Sequence, residues 1–168
     1  MVQGIIIPAD NTAPLTAATL DSLEDYQRAV GGWFEAVDIP DLGVTMYVNE
    51  EGLIRDLAFN RRATFLWRFQ VPQARDARLV GDVAVVGLTD EEGENTELPI
   101  EFGRRMLGPG IYRVRTRQRG ESEWHEEPID RDDYLETVIW AALLQEMAPA
   151  LEVQIGHVED GANESNQP

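Results

Sequence analysis

An unbroken apolar run, Val138-Ile139-Trp140-Ala141-Ala142-Leu143-Leu144, lies inside the clearest helical stretch of the chain. A helix that is apolar nearly all round is either buried on more than one side or paired with another chain. Asp132, Asp133 and Glu136 stand at its start, where the positive end of the helix dipole favours acids, and Pro149 stops it. Such a helix needs a packing layer, and the segments around it have the period of strands. Ile111 to Arg119 alternates strictly, with Arg113, Arg115, Arg117 and Arg119 facing one way and Tyr112, Val114, Thr116 and Gln118 the other. Gly120-Glu121 turns this segment into Glu123–Ile129, and Leu151 to Ile155 alternates as a final strand.

The first half has the same mixture. Val2 to Ile7 reads as a strand closed by Pro8, and residues 9–19 as a loop. Ser22 precedes a helix with Leu23, Tyr26 and Val30 on one side. Asp25 completes an approximate capping box, and Gly31-Gly32 ends the helix. Trp33 to Ile39 is strand-like, Pro40 and Gly43 mark a turn, and Val44 to Val48 is a strand. Asn49-Glu50-Glu51-Gly52 makes a tight connection, with Leu53-Ile54 beginning the return partner of a hairpin. Asn60 caps a short helix over Arg61–Trp67, with a strand across Phe65–Val71 as the competing reading. Leu79 to Leu88 is a buried strand, Asp90 to Asn95 an acidic loop, and Ile100 to Leu107 a short helix weakened by Gly103. The fold expected is α+β: a mixed or antiparallel sheet with a few packing helices, an acidic C-terminal extension and a disordered tail. Its parts are a unit over residues 1–88, a smaller unit over 89–156 packed on it, and a tail over 157–168.

The net charge is −17, from 31 acids and 14 bases, and every base is Arg. Residues 120–168 hold 13 of the acids and only Arg131 as a base. A field of this sign repels nucleic-acid backbones and acidic membranes and attracts basic partners. No apolar run reaches the ~20 residues of a membrane span. The opening Met-Val-Gln-Gly-Ile-Ile-Ile-Pro has no basic lead, so it reads as a buried strand of a cytoplasmic protein.

The catalytic inventory is thin. The absence of Cys and Lys excludes thiolate and Schiff-base chemistry. Ser22, Ser122 and Ser165 lie in no nucleophile elbow, and no phosphate-binding loop or dinucleotide fingerprint is present. His125 among Glu123, Glu126 and Glu127 reads as a solvent-facing strand rather than a metal site, which needs three or four convergent ligands. His157 falls in the tail. No enzyme activity, cofactor or metal is expected. The arginine stripe is either an anion-binding face or, as the neighbouring acids favour, a hairpin in which arginines meet Glu121, Glu123, Glu126 and Glu127 across strands. Asn60, Arg61 and Arg62 form a second anion-binding candidate at a helix start. Glu50-Glu51-Gly52 is a contact surface or, more simply, the polar tip of a turn.

Read together, several segments resemble a known family. Gly4-Ile5-Ile6-Ile7-Pro8, Leu23–Gly32, Val48-Asn49-Glu50-Glu51-Gly52-Leu53, Asn60 with Ala63-Thr64, and Val80-Gly81-Asp82 occur in the order seen in domain of unknown function 3846. The resemblance covers about residues 2–88, with Val-Asn-Glu-Glu-Gly as its most specific piece. It implies a setting in actinobacteria, their plasmids and their phages, which the all-arginine cation usage of a GC-rich genome matches. It implies no activity and carries over no site residues.

The function expected is that of a small acidic phage-type accessory protein that binds a host protein with a basic surface, in the host cytoplasm. In its sharpest form it mimics nucleic acid and inhibits host defence through Glu123, Glu126, Glu127, Asp130, Asp132, Asp133 and Glu136. The alternatives are a module that sequesters a small ligand or nucleotide through Arg113, Arg115, Arg117, Arg119, Asn60, Arg61 and Arg62, and an uncharacterised structural protein whose acidity only keeps it soluble. A homodimer through the Val138–Leu144 helix is a further expectation. Direct nucleic-acid or membrane binding is not expected.

Overall fold

The computed structural model describes residues 1–158. The fold is α+β, with antiparallel sheets and helices in two compact units, Met1–Leu107 and the chain from Gly108 onward.

Unit 1 holds strands β1 (Val2–Ile7), β2 (Thr16–Leu20), β3 (Phe34–Ile39), β4 (Val44–Asn49) and β5 (Val83–Gly87), and helices α1 (Leu23–Val30), α2 (Arg61–Gln70) and α3 (Ile100–Leu107). The strands form one antiparallel sheet in the order β2-β1-β5-β4-β3. Every residue of β4 and β5 is buried, as expected of strands covered on both faces. Tyr26 and Val30 of α1 pack with Leu20, Tyr47, Ala84 and Val86, and the rings of Tyr26, Phe34 and Tyr47 meet edge-on or tilted with centroids within 5.7 Å.

The helix ends follow the sequence signals. Ser22 and Asp25 form a full capping box on α1, and Gly31 ends it in the left-handed region at φ 81°. The backbone amides of Ser22 and Asp21 donate to the Asp25 carboxylate and hold its pKa below the usual range. Asn60 caps α2, so residues 65–70 continue a helix that Val71 ends, and the segment is not a strand.

Two strand readings change. Residues 16–19, expected as the end of a loop, form β2 with Leu20, because pairing of Val2↔Leu20 through Ile6↔Thr16 holds a segment of weak apolar pattern. The hairpin partner of β4 is the preceding β3, from Phe34↔Asn49 to Ile39↔Val44, and not Leu53-Ile54. Gly52 N–H donates to the Asn49 carbonyl and Leu57 N–H to the Gly52 carbonyl, which coils the chain away from the sheet.

Residues 89–107 belong to unit 1, beyond the boundary expected after Leu88. Gly87 N–H donates to the Thr96 carbonyl, Gln3 N–H to the Glu97 carboxylate and the Tyr47 hydroxyl to Asn95 Oδ1. Burial raises the Tyr47 and Tyr26 hydroxyl pKa values. Helix α3 buries Phe102 and Met106.

Unit 2 is a sheet in the order β7-β6-β8, formed by β6 (Tyr112–Gln118), β7 (His125–Arg131) and β8 (Leu151–His157), with α4 (Tyr134–Met147) packed on it. Asp133 caps α4, accepting from Glu136 N–H. Tyr112 of β6 meets Tyr134 of α4 with ring centroids 5.3 Å apart. Val138, Ile139, Ala141 and Ala142 are buried within the chain, so most of the apolar run is core. His157, assigned to the tail from sequence, closes β8 opposite Tyr112, with its ring edge-on to the tyrosine at 5.4 Å. The expected tail beyond it, residues 159–168, lies outside the described residues.

Candidate functional site

The arginine stripe lies on the sheet face opposite the buried Tyr112 and Val114 side chains, as strand alternation requires. Its members differ in their partners. Arg113 donates from Nε and Nη2 to the two Asp130 oxygens at 2.6 and 3.0 Å, and from Nη1 to Glu126 at 3.0 Å. The Arg113 hydrogen bonds lower the Asp130 pKa, and the same pair, with Glu126, raises that of Arg113. Arg117 pairs with Glu152 of β8. Arg115 donates from Nε and Nη2 to Gln154 Oε1 at 3.1 and 2.7 Å. Arg119 is exposed past the strand end; its N–H bonds the Ala150 carbonyl and its side chain has no ion pair among the described residues.

The cross-strand pairing expected with Glu121, Glu123, Glu126 and Glu127 therefore holds at Glu126 only, and Asp130, Glu152 and Gln154 take the other places. The β6–β7 register moves from Arg113↔Asp130 to Arg115↔Glu126, so β7 bulges around Pro128 and sets both acids about Arg113. Trp124, which sequence reasoning passed over, lies against two guanidinium groups, 5.0 Å from Arg115 and 4.5 Å from Arg117.

The acids expected to form a nucleic-acid-like surface are placed unevenly. Glu126 and Asp130 are joined to Arg113. Glu127 accepts the Trp140 indole N–H at 2.9 Å and lies 3.6 Å from Arg131, whose guanidinium sits over the Trp140 ring. Asp133 serves as a helix cap. Glu136 lies in the first turn of α4. Glu123 and Asp132 are exposed with no ion pair among the described residues.

The Asn60-Arg61-Arg62 corner is mostly internal. Asn60 is fully buried; its Nδ2 donates to the Ile7 and Gly81 carbonyls, and its Oδ1 accepts from Ala63 N–H. Arg62 is buried and donates to the carbonyls of Pro8, Asp10 and Ala13, which fixes the loop after β1. Its Nε has no partner among the described residues. Arg61 follows the cap at the start of α2. Two of the three anion-binding candidates are thus occupied by backbone oxygens.

A second surface is built by the Val-Asn-Glu-Glu-Gly turn. Asn49 Nδ2 donates to the Val30 carbonyl at the end of α1, and its Oδ1 accepts from Glu51 N–H. Gly52 is needed because a Cβ there would lie 2.6 Å from Val80 Cγ2. Arg55 Nη1 donates to the Gly31 carbonyl and Glu50 N–H to the Trp33 carbonyl, so the turn is strapped beside Gly31–Trp33. At this end of the sheet Trp33, Leu53 and Ile54 are 59, 71 and 89 % exposed. Glu35, Glu50 and Glu51 are also exposed there, with no ion pair among the described residues. The signal in the sequence is an apolar pair directly after a polar turn, a pattern shared with the start of a strand.

Among the described residues no group of three His, Cys, Asp or Glu side chains could hold a metal ion, and no helix is long and apolar enough to cross a membrane. No curated protein and no solved structure matches the chain. The family model described as Domain of unknown function (DUF3846) matches residues 2–107, all but the first residue of unit 1 and well over half of the chain. The turn at Asn49–Gly52 falls inside this match, and the arginine stripe falls outside it. On this match, the chain belongs to the DUF3846 family.

Proposed function

We propose that the protein is a binding module, not an enzyme, and that it engages a partner protein with a basic, partly apolar surface through the end of unit 1 at Trp33, Leu53 and Ile54. The observation that carries this reading is the exposure of Leu53 and Ile54 on a turn held by backbone and side-chain hydrogen bonds, and of Trp33, whose carbonyl accepts from that turn. Exposed apolar groups rimmed by polar ones mark interaction surfaces. The rim here is Glu35, Glu50 and Glu51, which selects a basic partner. The setting of the protein is that of a phage or mobile-element accessory protein acting on a host protein in the cytoplasm. The version in which residues 123–136 mimic nucleic acid has less support, because Glu126, Glu127 and Asp130 face arginines of the same unit.

Calorimetric titration with a synthetic amphipathic peptide, lysine on one face and leucine on the other, tests the reading. Burying Leu53 and Ile54 contributes about 3 kcal/mol in all, so Leu53→Ala/Ile54→Ala weakens binding by about a hundredfold. Glu50→Gln/Glu51→Gln weakens it less and flattens its salt dependence. Binding that survives both variants, or none by the parent protein, refutes the site.

A further inference from the structure

The stripe arginines are not equivalent, and the difference points to a ligand. Arg113 lies between two carboxylates and Arg117 has one, but among the described residues Arg115 hydrogen-bonds through its side chain to a neutral amide and to no carboxylate. Two N–H groups of its guanidinium fork converge on a single planar oxygen group, Gln154 Oε1, at 3.1 and 2.7 Å. A carboxylate would offer the same fork two oxygens, as Asp130 does for Arg113, and a charged acceptor binds it about twice as strongly as a neutral one. The Trp124 ring under Arg115 and Arg117 restrains both forks and offers part of its own surface. Arg119 extends the row without an ion pair among the described residues.

We propose that the open face of the unit 2 sheet receives an acidic peptide segment of a partner protein. One carboxylate of the segment takes the Arg115 fork from Gln154, a second reaches Arg119, and an aromatic or aliphatic side chain between them lies on Trp124. The net charge of −17 opposes an acidic ligand at long range. Ions screen that repulsion beyond about 8 Å at physiological salt, so the local row governs the bound state. Arg and Trp are also the residues most enriched at the energetic centres of protein interfaces. This face shares no residue with the surface on unit 1 and lies outside the family match.

The test is calorimetric titration of the full chain, near physiological salt, with a synthetic peptide of alternating glutamate and phenylalanine. The parent protein is expected to bind. Arg115→Ala and Gln154→Glu each weaken binding by at least about tenfold, and Leu53→Ala/Ile54→Ala leaves it unchanged. Gln154→Glu is the sharper variant, because it fills the fork with an internal carboxylate and should leave the fold intact by circular dichroism. Equal binding by Gln154→Glu and the parent protein overturns the proposal, as does absence of binding by the parent. Inorganic phosphate that binds as tightly as the peptide also overturns it, by showing a simple anion site.

Discussion

Replacing Asn60 by Ala removes a side chain that is completely buried and uses both ends. Its Oδ1 caps α2 by accepting from Ala63 N–H at 3.0 Å, and loss of such a cap costs about 1 kcal/mol. Its Nδ2 donates to the carbonyls of Ile7, at the end of β1, and Gly81, just before β5, both at 2.9 Å. Each carbonyl left without this donor costs about 1–2 kcal/mol more. The expected loss is therefore about 3–5 kcal/mol, a large part of the 5–15 kcal/mol typical of a small domain. Urea unfolding followed by circular dichroism, with hydrogen exchange of the α2 amides to assign the change to unit 1, measures it. Asn60→Asp separates the two roles: it keeps the acceptor at the cap but sets a carboxylate against two carbonyl oxygens. Facing two carbonyl oxygens, the buried carboxyl resists ionisation, so the deficit is smallest at low pH and grows as pH rises above the unfolded carboxyl value of about 3.9. An Asn60→Ala loss under about 1 kcal/mol, or an Asn60→Asp stability independent of pH, would refute the bridging role.

Gly52→Ala places a Cβ 2.6 Å from the buried Val80 side chain. It should cost about 1–3 kcal/mol, read as a drop in the melting temperature of unit 1. An unchanged melting temperature would show that the turn can shift without loss. Asp130 has its pKa lowered by Arg113, so the contribution of this pair to stability is present above the ordinary carboxyl range and is lost as pH falls through the folded-state value. In Arg113→Ala, the Asp130 titration followed by carboxyl-carbon NMR should move up toward about 3.9. A midpoint equal to that of the parent would mean that the pair does not persist in solution.

What the sequence made legible was local. The caps at Ser22 and Asn60 act over three residues, and each sets a helix start that the structure reproduces. The alternation of Ile111–Arg119 placed the arginines on one face for the same reason. Partners farther along the chain were not legible. The acids following the stripe were expected to neutralise it, yet Glu152 and Gln154 come from β8, 35 and 39 residues from the arginines they meet. Pro128 marks the bulge that resets the register, but a proline says where a ladder breaks and not by how much. Strand β2 escaped because Thr16-Ala17-Ala18-Thr19 has little apolar alternation and is a strand only by virtue of its neighbour. Leu53 and Ile54 misled for the opposite reason: they are apolar without being buried, and such residues answer to something other than the core.

The order of strands in unit 1 bears on how the protein comes to be made. The β1–β2 and β3–β4 hairpins join near neighbours in sequence and can form early, but β5, which lies between β1 and β4, is the last of the five to be synthesised. Until Val83–Gly87 emerges, each hairpin presents an open edge, and Ile5, Ile7, Val44 and Met46 lack the neighbour that buries them. Long-range closure of this kind is slow compared with hairpin formation. The nascent unit is therefore most exposed to aggregation before β5 has emerged, and a ribosome that pauses ahead of β5 holds out two unpaired templates for other strands.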